Sequence, residues 1–115
     1  MELEVLRNAC LVLKGAQEEI KWEHDLAYTI GGKMFCVTSI EGPHSFSCKV
    51  PDERFEELTQ VPGIEPAPYL ARAKWVLVTP ECNWKTSQKL DLARESYRLV
   101  GAKLTKKQKT ELGLL

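Results

Sequence analysis

Apolar residues recur every three or four positions at both ends of this chain, and every second position in its middle. Near the start, Leu3, Leu6, Cys10 and Leu13 form one stripe, widened by Val5, Ala9 and Val12. That spacing predicts a helix over Glu2–Lys14 with one buried face. Lys14 suits the negative end of its dipole, and Gly15 the left-handed position that ends it. Near the other end, Leu90, Ala93, Tyr97, Val100 and Leu104 repeat the pattern. They predict a long helix capped at Thr86 or Ser87.

Between the helices the period drops to two. Leu26–Ile30 is a short strand candidate, and Gly31-Gly32 offers the positive φ angles of a tight hairpin. Lys33–Ile40 follows, rich in β-formers, with Phe35 and Val37 expected on one face and Met34, Cys36 and Ile40 on the other. Ser45–Val50 alternates with Phe46, Cys48 and Val50 inward. Three meandering antiparallel strands are the simplest reading. Pro51-Asp52-Glu53 opens a short helix through Gln60, since proline is tolerated in a first turn. The proline-rich stretch to Pro68 reads as an extended loop. Ala73–Thr79 is a fourth strand, apolar on both faces and therefore well covered.

A chain of 115 residues supports one domain with one core. No run approaches the roughly 20 apolar residues of a membrane span, and the acidic start is unlike a secretory signal, so cytoplasmic residence is expected. Cys10, Cys36, Cys48 and Cys82 form no CxxC pair, and neither His24 nor His44 completes a zinc spacing. Reduced thiols are expected. The net charge is zero but polarised: residues 1–70 carry 6 basic and 12 acidic side chains, and residues 71–115 carry 10 basic and 4 acidic. Such polarity can steer a polyanion to one face.

The order helix, three strands, helix, strand, helix resembles the MmcQ/YjbR-like family of small bacterial domains. The residues that carry the resemblance are Leu13-Lys14-Gly15-Ala16 with Glu18, Gly31-Gly32-Lys33-Met34-Phe35 and Ala67-Pro68-Tyr69-Leu70. Lys74-Trp75-Val76 and Ser96-Tyr97-Arg98-Leu99-Val100 with Lys103-Leu104 complete the set. The resemblance runs from the first helix to the lysine-rich tail. It implies an α+β fold similar to frataxin-like (CyaY-like) domains: a single-domain α/β sandwich, residues 1–115, with helices packed on one face of an antiparallel sheet. Residues 105–115 are then a basic tail that frays or starts a short turn. Glu23 departs from the family, which often has glycine there, so the turn around Trp22 is left open. Some members of the family are described as carrying a double-wing DNA-binding motif.

That description makes DNA the expected partner, contacted through phosphates with little sequence preference and no catalysis. The candidate contacts are Lys33 at the hairpin, Lys49 on the third strand, Arg72 and Lys74 before the fourth, and Arg98, Lys103, Lys106 and Lys107 at the end. Against this, the sequence pI near 6.7 lies below that of a dedicated binder. The alternative is a protein-interaction adaptor using the sheet or its aromatic rim, because Trp22, Trp75, Trp84 and Tyr69 could supply hot spots beside Arg72. Trp75 and Tyr97 are expected to be buried and Trp84 partly exposed. The acidic cluster Glu18, Glu19, Glu23, His24 and Asp25 could hold a cation only weakly. No nucleophile–base pair or phosphate-cradling loop stands out. The expectation is a monomer with no metal, cofactor or enzymatic activity.

Overall fold

The structure is a computed structural model and describes residues 1–114. Six strands form one antiparallel sheet, in the spatial order β1-β2-β3-β4-β6-β5. They are β1 (Gln17–Lys21), β2 (Asp25–Ile30), β3 (Lys33–Ser39), β4 (Phe46–Lys49), β5 (Ile64–Pro66) and β6 (Trp75–Val78). The helices are α1 (Leu3–Leu11), α2 (Phe55–Leu58), α3 (Thr86–Ala102) and α4 (Lys106–Glu111). α3 packs across β3 and β4, and α1 packs on α3, so one face of the sheet is covered. Tyr28, Ile30, Phe46, Cys48, Val76 and Val78 meet Leu6, Cys10, Leu92, Ala93 and Val100 in that layer. This is the α+β sandwich expected of the sequence.

Two of the strands were not expected. β1 holds Glu18, Glu19 and Lys21 and has little β-propensity. It pairs along its whole length with β2, and Glu18 accepts from Arg7 Nε of α1 at 2.8 Å, which fixes it to the helix layer. β5 ends in Pro66 on the outermost strand, where a missing N–H costs no ladder bond. The helix expected over Pro51–Gln60 is instead a 3-10 turn, Asp52–Arg54, followed by the single turn of α2. The fourth expected strand starts two residues late, because Ala71–Ala73 is another 3-10 turn and Lys74 is left-handed, with φ +63°.

The hairpin follows the sequence reading: Gly31 and Gly32 take φ +58° and +81°. A Cβ on Gly31 would come within 2.8 Å of the Leu104 side chain, so the tip needs glycine for space as well as for backbone. Gln108 Nε2 lies 3.5 Å from Gly31 O, and Leu112 and Leu114 pack on the core. The basic tail is therefore docked: Thr105 caps α4 by accepting from the Gln108 N–H at 3.1 Å.

A β-bulge resets β3. Its pairing with β2 steps from Tyr28↔Cys36 to Thr29↔Met34, leaving Phe35 as an extra residue. Phe35 and Cys36 are both buried, and the Phe35 ring meets Tyr97 of α3 edge-on at 5.3 Å. The expected face assignment is thus corrected: Cys36 joins Phe35 on the helix side, while Met34 and Val37 face the other way. The β3–β4 ladder ends at Cys36↔Cys48. Beyond it, the wholly buried Ser96 Oγ donates to Phe35 O at 2.5 Å and accepts from Lys49 N at 2.9 Å. One helix hydroxyl bridges the two strands where their own pairing stops.

Candidate functional site

The strand register decides which basic residues can act together. The start of β3, the end of β4 and the start of β6 lie at one end of the sheet, because each neighbour runs antiparallel. Lys33, Lys49, Arg72 and Lys74 therefore gather there. β3 and β6 are two strand spacings apart, about 10 Å. Because the Gly31 hairpin docks against Leu104 and Gln108, the segment carrying Lys103, Lys106 and Lys107 joins the same end.

These side chains are not equally free. Lys49 Nζ donates to Ala73 O at 2.6 Å, and Lys74 Nζ sits 5.0 Å above the centre of the Phe55 ring. Both hold the Leu70–Lys74 connection in place and so position Arg72. Lys33, Arg72, Lys103, Lys106 and Lys107 are exposed and take part in no ion pair among the described residues. Arg98 is likewise exposed and unpaired among the described residues, but it faces a different surface. It lines a depression on the outer side of α3 with Arg54, Asp91 and Glu95, and Arg54 there bonds Glu95 at 3.2 Å.

The sheet face opposite the helices carries a different feature. Val37 and Ser47 form its floor, and the Pro68-Tyr69-Leu70 connection arches over it. With Trp22, Asp25 and Met34 they enclose a groove of about 540 Å³. A shallower depression continues it past Ser39, Ser45, Pro43 and Leu77. Trp22 is 66% exposed and Tyr69 fully so, whereas Trp75 is buried and Trp84 half-buried. Tyr97 is half-buried rather than buried, and its hydroxyl donates to Lys14 O. Trp22, Glu23 and Tyr69 have φ +50°, +67° and +64°, unusual for bulky side chains. The turn keeps a left-handed backbone at Glu23 without glycine.

Other chemistry finds little to assemble from. Strand alternation sends Glu18 to the helix side, paired with Arg7, and Glu19 to the open side, 3.1 Å from Lys21. Among the described residues no cluster of His, Cys, Asp or Glu is arranged to hold a metal ion. The four cysteines are unpaired and buried. The nitrogen His44 Nδ1 lies 3.3 Å from Ser39 O. No helix among the described residues is long and apolar enough to cross a membrane.

The fold defines an α+β domain in which helices cover one face of a six-stranded antiparallel sheet and leave the other open. The YjbR family model matches residues 11–99, and the chain belongs to that family. It is similar to the crystal structure of the Deinococcus radiodurans protein DR2400, assigned to domain family DUF419, at 32% identity and TM-score 0.86, over 96% of this chain and 87% of that one. A Pseudomonas syringae protein shares the fold, at 17% identity and TM-score 0.71, over 86% of this chain and 98% of its own. No curated protein matches the chain.

Proposed function

We propose that the chain binds DNA through phosphate contacts made at the basic end of its sheet, with little sequence preference and no chemical transformation. The observation that carries this reading is the convergence of Lys33 and Arg72 with the Lys103–Lys107 segment at that end. Membership of a family with a proposed DNA-binding role adds to it. Lys49 and Lys74 serve by fixing the loop that presents Arg72. Arg98 is left out, because it lines the separate depression on α3 with Arg54, Asp91 and Glu95. Asp52 and Glu53 lie just past the end of β4, at the same end of the sheet, so the affinity is modest.

Five phosphate contacts give log K a slope near −4.5 against log salt, or about 500-fold weaker binding between roughly 50 and 200 mM. Fluorescence anisotropy of a labelled duplex measures this directly. Saturable binding with such a slope, weakened by Lys33→Ala and Arg72→Ala and unchanged by Arg98→Ala, is the expected result. Absence of binding at low salt refutes the reading.

A further inference from the structure

The open-face groove combines three features that point to one kind of ligand. Two aromatic side chains, Trp22 and Tyr69, line the same cavity from separate turns and are exposed to solvent. Aromatic faces attract cations through their quadrupole. Asp25 lines both the groove and its shallow continuation, and its half-buried carboxylate belongs to no ion pair among the described residues. The cation nearest along the ladder, Lys21, lies directly across from Asp25, but its Nζ is 3.1 Å from Glu19. Among the described residues that line the groove, Asp25 alone carries a charge. The remaining lining, Met34, Val37, Pro68 and Leu70, is apolar, and the continuation is edged by the hydroxyls of Ser39, Ser45 and Ser47. The volume is within the range of ligand pockets, about 300–1,000 Å³.

We infer that this groove binds an extended peptide segment of a partner protein, with an arginine or lysine side chain placed between Trp22 and Tyr69 and its charge on Asp25. Small apolar residues on either side of that cation rest on Met34, Val37 and Leu70. The serine-edged continuation takes the rest of the segment, where hydroxyls can meet peptide groups. A phosphate-bearing ligand is disfavoured at this spot, since the carboxylate of Asp25 would repel it. The charge of Asp25, opposite to that of the basic end, separates this partner from the one proposed above.

The test is a titration of isotope-labelled protein with the peptide acetyl-Ala-Val-Arg-Val-Ala-amide, read by amide NMR. The same sequence with Glu in place of Arg and a short oligothymidylate are the controls. The expected result is a saturable shift of the Trp22 indole N–H and of the Tyr69 and Val37 amides with the Arg peptide alone. Asp25→Asn should weaken binding about tenfold, and Trp22→Ala should abolish it, with otherwise native spectra. Three results overturn the inference: no shift at millimolar peptide, equal response to the Glu peptide, or response to the oligothymidylate in its place. None of them bears on duplex binding at the basic end, which Lys33→Ala and Arg72→Ala report independently.

Discussion

Replacing Ser96 with alanine removes one oxygen and leaves two buried backbone groups without a partner. The Ser96 hydroxyl both donates to Phe35 O and accepts from Lys49 N, and Ser96 is completely buried. The bulge at Phe35 ends the β3–β4 ladder one step short, so neither group has a strand partner to return to. An unsatisfied buried polar group costs about 1–3 kcal/mol, which puts the combined loss near 3 kcal/mol. That is a large part of the roughly 5–15 kcal/mol that holds a domain together. With a urea m-value of about 1.5 kcal/mol/M, the unfolding midpoint should fall by about 2 M with m unchanged. Hydrogen exchange adds a local readout: the Lys49 amide, protected in the parent, should exchange faster than its strand neighbours in Ser96→Ala. A midpoint loss below about 0.5 M, with the Lys49 amide still protected, would falsify the reasoning. It would mean that the strands close up and pair directly once the hydroxyl is gone.

Tyr28 is buried and its hydroxyl has no hydrogen-bond partner, so Tyr28→Phe should stabilise the fold by about 1 kcal/mol. A loss of similar size in urea melts would show that the hydroxyl is bonded, with Glu18 the nearby acceptor. Alkaline pH should destabilise the protein. A hydrogen bond with Cys10, together with burial, raises the Cys36 thiol, and burial raises the Cys48 thiol, so both stay protonated when folded. Unfolded thiols titrate near about 8.5, so above that pH only the unfolded chain loses these protons. Stability is then flat below pH about 8.5 and falls by about 1.4 kcal/mol per pH unit for each thiol above it. Urea midpoints across this range that stay level would refute the assignment.

What could be seen in the sequence follows from how local its cause is. The two long helices and the Gly31-Gly32 hairpin are written in spacing and turn chemistry, which act over a few residues. β1 and β5 are not, because Glu18-Glu19 and Glu65-Pro66 carry no strand signal and become strands only beside a neighbour's free edge. The bulge is equally hidden: strict alternation through Lys33–Ile40 places Cys36 opposite Phe35, and one extra residue reverses it. Ser96 reads as an ordinary polar residue in a helix, since its partners lie 61 and 47 residues away. For the candidate sites, the basic second half of the chain was visible as a charge count. Only the antiparallel register shows that Lys33 and Arg72 share an end of the sheet. Trp22 and Tyr69 were visible as aromatics, but nothing local marks them as the exposed pair among the chain's aromatic side chains.

The backbone at these two aromatics gives a reason to see them as retained for recognition. A left-handed conformation costs a non-glycine residue about 1–2 kcal/mol, and such outliers gather at functional sites. Trp22 and Tyr69 both have it, and both leave most of their side chain in solvent, so core packing offers little return. Tyr69→Gly isolates the point. Glycine relieves the left-handed strain but adds freedom to the unfolded chain, worth roughly 0.5–1 kcal/mol the other way. With no buried area at stake, the net change in stability should stay within about 0.5 kcal/mol. The Arg peptide, however, should lose its response at Trp22, because the cation loses one of its two aromatic faces. A destabilisation well above 1 kcal/mol by urea melt, with peptide binding intact, would place Tyr69 in the service of the fold and take away its role in the groove.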